Sequence, residues 1–254
     1  MLFTIDIGNT NITYGLYKGD QLNGRWRIST DHTRMPDEYG LQLIQMLNRE
    51  GIDQSDIEGI IMASVVPPVT TYLSEAFMKF FNKKPMIVNH ETKTGVPVKI
   101  DDPATVGADR IVNAVAVKKY FGGPACIIDF GTATTFDAVD DDMNYIGGAI
   151  TPGVHVAEEA LFQRTSKLPR VEIKRPPNVI GQNTIHAIQS GLLFGYVSLV
   201  EGMVKRFSEE LGPEMKVIAT GGLASFISKE TDAIHHTCPW LTLDGLRIIW
   251  EINQ

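Results

Sequence analysis

Asp6 closes a short apolar run in DIGNTNITYG, and the same order of residue types returns at Asp129 in DFGTATTFDAV. Each copy is an apolar strand, Leu2 to Ile5 or Ala125 to Ile128, that ends in Asp. A Gly and a run of Thr or Asn then lead into a second apolar strand. The Gly permits a backbone turn that a side chain would obstruct. The hydroxyl and amide groups of Asn9, Thr10, Asn11, Thr132, Thr134 and Thr135, with exposed backbone N–H groups, are donors suited to phosphate oxygens. A carboxylate cannot face phosphate bare, so each Asp calls for a cation, the usual arrangement being magnesium on a nucleotide. An Asx turn after a strand would account for one such Asp, but two matching hairpins point to a split nucleotide site.

Other clusters carry less. No GxxxxGK[ST] or GxGxxG loop occurs, so phosphate binding falls to the twin hairpins. Gly221 and Gly222, after an apolar strand, would let a flat ring approach the backbone, or form a simple turn. His155 with Glu158 and Glu159 lacks a second His at ligand spacing and reads as a solvated helix face. His235 and His236 beside Cys238 lack a partner Cys pair and read as a loop. Asp109-Arg110, after Gly107, is open to two readings. It is a helix-start acid with an exposed neighbour, or a carboxylate and guanidinium that serve an anionic substrate at a helix N-terminus.

The elements that must hold these residues alternate in a regular way. LFTIDIG, NITYGLY and RWRIS form a three-strand meander with turns at Gly8 and at Lys18 to Asp20. Leu41, Ile44 and Leu47 mark a helix opened by Pro36 and stopped by Gly51, and the strand GIIMASVV follows. A second helix through Phe77 and Phe80, a strand MIVN and a helix through Ile111, Ala114 and Val115 complete the half. The second half repeats the order. ACIIDFG, TTFDAV and YIGGAI form its meander, a long helix runs from Thr184 to Leu211, and MKVIAT is a strand. Lys167 to Gln182 reads as a loop. The expected architecture is an α/β protein of two duplicated domains, 1–115 and 116–254.

Composition bounds the partners. The 254 residues are 43% hydrophobic and carry a net charge of -7, which offers no basic surface for a nucleic acid. Cys126 and Cys238 are the only cysteines, which fits a reducing compartment without a disulfide framework. The chain opens directly on a strand and its longest apolar stretch, Gly191 to Val200, is short of a bilayer span, so no leader or membrane anchor is expected. The expected location is cytoplasmic.

Two hairpins with a late apolar strand ending in Gly-Gly resemble the superfamily of actin, sugar kinases and acetate kinase. There, two ribonuclease H-like domains clasp a nucleotide in a cleft. Gly107-Ala108-Asp109-Arg110, DFGTATTFD at 129–137, GGAITPG at 147–153 and GQNTIHAIQSG at 181–191, together with DIGNTN and ATGG, resemble the motifs of type III pantothenate kinases in family order. The resemblance implies ATP-dependent phosphorylation of pantothenate to 4'-phosphopantothenate, the first step of coenzyme A synthesis. It assigns Asp109 as general base, and Gly107, Ala108, Asp109, Arg110 and Thr184 to pantothenate. Asp6, Ile7, Gly8, Asn9, Thr10, Asn11, Ile12 and Thr13 become the ATP phosphate loop, with Thr132 also on ATP. Asp6 serves Mg2+ through the phosphates, and Asp129 holds a monovalent cation, K+ or NH4+. The resemblance also implies a homodimer.

The chain departs from the pattern at Lys99-Ile100-Asp101-Asp102-Pro103, where many relatives carry a Tyr. Ile100 keeps apolar contact there but loses a hydroxyl. Thr184 reads equally as the N-cap of the long helix. Two rival functions share the fold: a sugar or acetate kinase, and a nonenzymatic accessory regulator.

Overall fold

The computed structural model describes all 254 residues. In chain order the elements are β1 (Leu2–Ile7), β2 (Asn11–Lys18), β3 (Gln21–Ser29), α1 (Pro36–Arg49), β4 (Gly59–Ser64), α2 (Pro67–Phe81), β5 (Met86–Ile87) and α3 (Ala108–Tyr120). Then follow β6 (Ala125–Phe130), β7 (Ala133–Val139), β8 (Tyr145–Pro152), α4 (Val154–Arg164), α5 (Thr184–Leu211), β9 (Lys216–Gly221), α6 (Ala224–Ile227), β10 (His236–Thr237) and α7 (Leu241–Ile252).

The strands form two five-stranded sheets of the same topology. The first has the order β3-β2-β1-β4-β5 and the second β8-β7-β6-β9-β10, each an antiparallel meander extended by two parallel strands on its central strand. The duplication read from the hairpins therefore extends to whole sheets. Helix starts follow local chemistry. Pro36 occupies the first turn of α1, and the Glu38 carboxylate accepts the Met35 N–H at 2.8 Å. At the start of α5, Asn183 Oδ1 accepts the His186 N–H at 2.9 Å, so Asn183, rather than Thr184, is its N-cap.

Strand alternation sorts the side chains of the first sheet. Phe3, Ile5 and Ile7 point to a core shared with Tyr39, Leu43, Leu47, Leu73 and Phe77 of α1 and α2. Thr4 and Asp6 point to the opposite face. There Leu243 of α7 packs over Gly15, and Trp250 lies against Gly59. In the second sheet, Cys126, Ile128, Phe130, Phe136, Val217 and Ala219 face Leu193, Val197 and Val200 of α5. By length and composition α5 could cross a bilayer, but these three residues are part of the domain core.

The chain divides into two compact units that no single cut reproduces. The first comprises Met1–Val96, Asp101–Ala116 and Leu241–Gln254; the second comprises Pro97–Ile100 and Val117–Trp240. Two segments depart from the expected 1–115 and 116–254. Pro97–Ile100 joins the second sheet, where Val98 bridges Tyr145 and Lys99 N–H donates to Tyr145 O at 2.8 Å. The α7 helix returns to cover the first sheet with Leu243, Leu246 and Ile249, all fully buried or nearly so. His236–Thr237, expected in a loop, is a short strand parallel to β9. The two cysteines are free.

Phe77 is fully buried, edge-on to Phe3 at 5.7 Å and tilted against Phe81 at 5.1 Å. Phe77→Ala is expected to cost about 3–5 kcal/mol of stability. A urea midpoint matching the parent protein would contradict that packing.

Candidate active site

In the first unit, Asp6 is the penultimate residue of β1 and partly buried, directly opposite Thr13 on β2 and Ala63 on β4. Ile7 and Ile12 form the last pair below the turn, and both are fully buried, so their side chains anchor the hairpin and offer nothing to a ligand. Above them Gly8 N–H donates to Asn11 O at 3.0 Å. The Gly8 and Thr10 carbonyls accept from Thr30 Oγ1 at 2.6 Å and Thr30 N–H at 2.9 Å. With those carbonyls occupied, the side chains of Asn9, Thr10 and Asn11 stand exposed at the tip, a donor-rich rim suited to an anion. Arg27 on the edge strand β3 pairs with Thr13, so the row Arg27–Thr13–Asp6 lies on one face. Arg27 carries no local signal of a site, and only the strand register ties it to Asp6.

Asp109 sits in the first turn of α3 and is partly buried. Its Oδ1 accepts the Arg110 N–H at 2.9 Å, while the same N–H reaches Gly107 O at 3.1 Å. A Cβ at Gly107 would lie 2.5 Å from that Oδ1, so Gly is what lets the carboxylate fold back over the helix start. Two influences compete on its proton. Desolvation raises the pKa above the ordinary 3.8, while the Arg110 N–H and guanidinium lower it, and desolvation prevails. A carboxylate that is less acidic than usual is a better general base near neutral pH.

In the second unit, Asp129 occupies the equivalent position on β6, opposite Thr135 on β7 and Thr220 on β9. Gly221 has φ 91°, and a Cβ there would lie 2.5 Å from Asp129 Oδ1 and 2.7 Å from the Phe130 backbone. The glycine is thus required twice, for its conformation and for the carboxylate beside it. Asp129 with facing hydroxyls is an oxygen donor set that fits a hard monovalent cation. Asp6 with Thr13 fits magnesium carried on phosphate in the same way. Thr132 is exposed at the turn, its carbonyl accepting the Gly153 N–H at 3.0 Å.

Two expected donors are not available to phosphate. Thr134 is fully buried, and Thr135 Oγ1 donates to Asp137 Oδ2 at 3.0 Å. Adjacent strand residues face opposite sides, so one of this pair had to enter the core.

Thr184 is exposed at the first turn of α5 and lines an open groove of about 1030 Å³ with Leu161, Leu168, Ile188, Leu192 and Tyr196. Ile100 lies in the second unit, 3.8 Å from the position of a Cβ on Gly147. Glu158, Glu159 and His235 are held in structural hydrogen bonds. Glu158 accepts the Val171 N–H at 3.2 Å, Glu159 accepts from Gln163 at 2.7 Å, and His235 Nδ1 accepts the Val217 N–H at 3.0 Å. No group of three or more His, Cys, Asp or Glu gathers anywhere as a metal centre.

Two duplicated sheets, each with an Asp at the turn of its central strand, are the fold of actin-like ATPases and sugar kinases. Solved structures agree. An inorganic polyphosphate/ATP-glucomannokinase from Arthrobacter sp. strain KM matches with TM-score 0.52 and 14% identity, covering 100% of this chain and 99% of that one. A chain from Campylobacter jejuni assigned to the Baf family of transcriptional activators matches with TM-score 0.63 and 18% identity, covering 99% and 98%. At these identities the likeness concerns the fold. Sequence comparison is more specific: the type III pantothenate kinase family model matches residues 2–206. Type III pantothenate kinases of Moorella thermoacetica and Exiguobacterium sibiricum are 47% and 50% identical, each covering 100% of both chains. The chain belongs to the type III pantothenate kinase family.

The raised pKa of Asp109 has a measurable sign. Above 3.8 the unfolded chain releases this proton before the folded one does, so the folded state binds more protons and loses stability as pH rises through that window. Asp109→Asn cannot ionise and is expected to remove this loss. The variant should gain stability relative to the parent as pH rises above the ordinary carboxylate value, measured by urea denaturation. Superimposable pH–stability curves would refute the desolvated carboxylate.

Proposed function

We propose that the protein transfers the γ-phosphoryl group of ATP to the primary hydroxyl of pantothenate, with Asp109 as the general base. The observation that carries this reading is the partly buried Asp109 at the α3 N-terminus, its proton affinity raised and Arg110 beside it. Asp109 accepts the hydroxyl proton as the oxygen attacks phosphorus. Arg110 supplies a guanidinium for the pantothenate carboxylate, and Gly107 and Ala108 bring the helix start close to that anion. Thr184 and its groove take the rest of the substrate.

The hairpin of residues 6–13 grips the phosphates through the Asn9–Asn11 rim, with Arg27 adding positive charge, and Thr132 also serves ATP. Asp6 would hold Mg2+ through phosphate, and Asp129 a monovalent cation, K+ or NH4+. Bound there, these ions neutralise phosphate charge. The exposed apolar residues Val179, Ile180 and Ile185 near the groove support a homodimer, and the core role of α5 supports a cytoplasmic protein without a membrane span. Against the regulator reading stands the retention of Asp6, Asp109 and Asp129 together.

A coupled assay with ATP and pantothenate, glucose or acetate is expected to show turnover with pantothenate alone. Absence of pantothenate turnover at millimolar ATP would sink the reading. Asp109→Asn is expected to lower turnover roughly a hundredfold or more. Replacing K+ by Na+ or a bulky organic cation is expected to reduce activity, and an unchanged rate would remove the monovalent cation from Asp129.

A further inference from the structure

The family model ends at residue 206, leaving α7 outside the segment it matches. Yet α7 touches both elements that carry chemistry in the first unit. On one side it lies on the sheet face that bears Asp6. Leu243 Cδ1 is 2.9 Å from the position of a Cβ on Gly15, Trp250 packs on Gly59, and Asp244 Oδ1 accepts the Tyr17 hydroxyl at 2.8 Å. On the other side it holds α3. Thr242 Oγ1 donates to Asn113 Oδ1 at 2.8 Å, and Asn113 is 1% exposed. Gly245 meets the α3 backbone directly, since a Cβ there would lie 2.1 Å from Val112 O. Asn113 follows Asp109 by one helical turn on the same stripe of α3, so a grip on Asn113 sets the axial position and rotation of Asp109.

We propose that Thr242 and Gly245 are positioning residues that fix Asp109 relative to the Asp6 hairpin, with α7 as the common seat of the two. The proposal rests on Asp109 as general base. Phosphoryl transfer is sensitive to such placement, because a displacement of about 1 Å costs up to roughly a hundredfold in rate. Neither residue need touch substrate. Their loss shifts the start of α3, so it affects the chemical step, while the binding of ATP at the Asp6 hairpin stays in place.

The test uses the full chain, with kcat and both KM values measured for Thr242→Val, Thr242→Ser, Gly245→Ala, Asp109→Asn and the Thr242→Val/Asp109→Asn double variant. Thr242→Val keeps the shape and removes the donor. It is expected to lower kcat roughly tenfold or more with the KM for ATP within about twofold, and Thr242→Ser, which restores the hydroxyl, to return kcat. Gly245→Ala is expected to reproduce the kcat loss by a second route. In the Asp109→Asn background Thr242→Val should cost nothing further, because the group it positions is gone. An unchanged kcat in both Thr242→Val and Gly245→Ala, a loss not recovered by Ser, or an equal loss with and without Asp109 would overturn the positioning role. Near-normal turnover of Asp109→Asn alone would instead overturn the general-base reading on which it rests.

Discussion

The register of each central strand is the constraint on which the rest of the structure depends. Asp6 faces Thr13 across β1 and β2, while its neighbours Ile5 and Ile7 enter the core. A slip of one residue would put Ile5 and Ile7 on the site face and drive a carboxylate against α1 and α2. The penalty for burying that charge adds to the packing of Phe3 in holding the strand in place. The same alternation on β6 keeps Cys126, Ile128 and Phe130 inward and leaves Asp129 outward, flanked by Thr135 and Thr220. Burial thus sets the geometry and, as a by-product, presents the polar face.

The two hairpins are copies of one element that differ in detail. Four residues, Gly8 to Asn11, follow the last pair of the first, whereas three, Gly131 to Ala133, follow that of the second. The longer turn projects three polar side chains around a tip tied down by Thr30. The shorter one is closed over by Gly153 and has Gly221 against its carboxylate. The first turn thus leaves its polar side chains exposed, whereas the second sets its carboxylate close against backbone. Asp109 adds a third environment, in which partial desolvation outweighs a neighbouring cation.

Much of this was legible because it is local. Turn glycines, terminal carboxylates and strand alternation act within a few residues, so the hairpins, the meanders and the span of α5 could be read directly. Other features depended on partners distant in sequence. Arg27 joins the Asp6 row only through two cross-strand registers, and Thr220 joins Asp129 through a parallel pairing far along the chain. The α7 helix has a weak local signature because Gly245 interrupts LTLDGLRIIWEI, and Gly weakens a helical pattern. Its reason is Val112, on another helix, against which no side chain would fit. The cap falls on Asn183, one position before Thr184, since Thr and Asn are both good caps and only the backbone distinguishes them.

The return of α7 also orders the assembly of the molecule in time. A chain leaving the ribosome presents residues 1–116 first, yet the sheet they form lacks the cover of Leu243, Leu246 and Ile249 until the residues after 240 have emerged. The second unit, nearly continuous from Val117 to Trp240, has all its strands and helices before that point. The half made first is therefore finished last, and its Thr4 and Asp6 face waits with an open apolar border for as long as the later half is being synthesised. A nascent chain in that interval carries one completed sheet and one that is still sticky, the state in which a chaperone has most to protect.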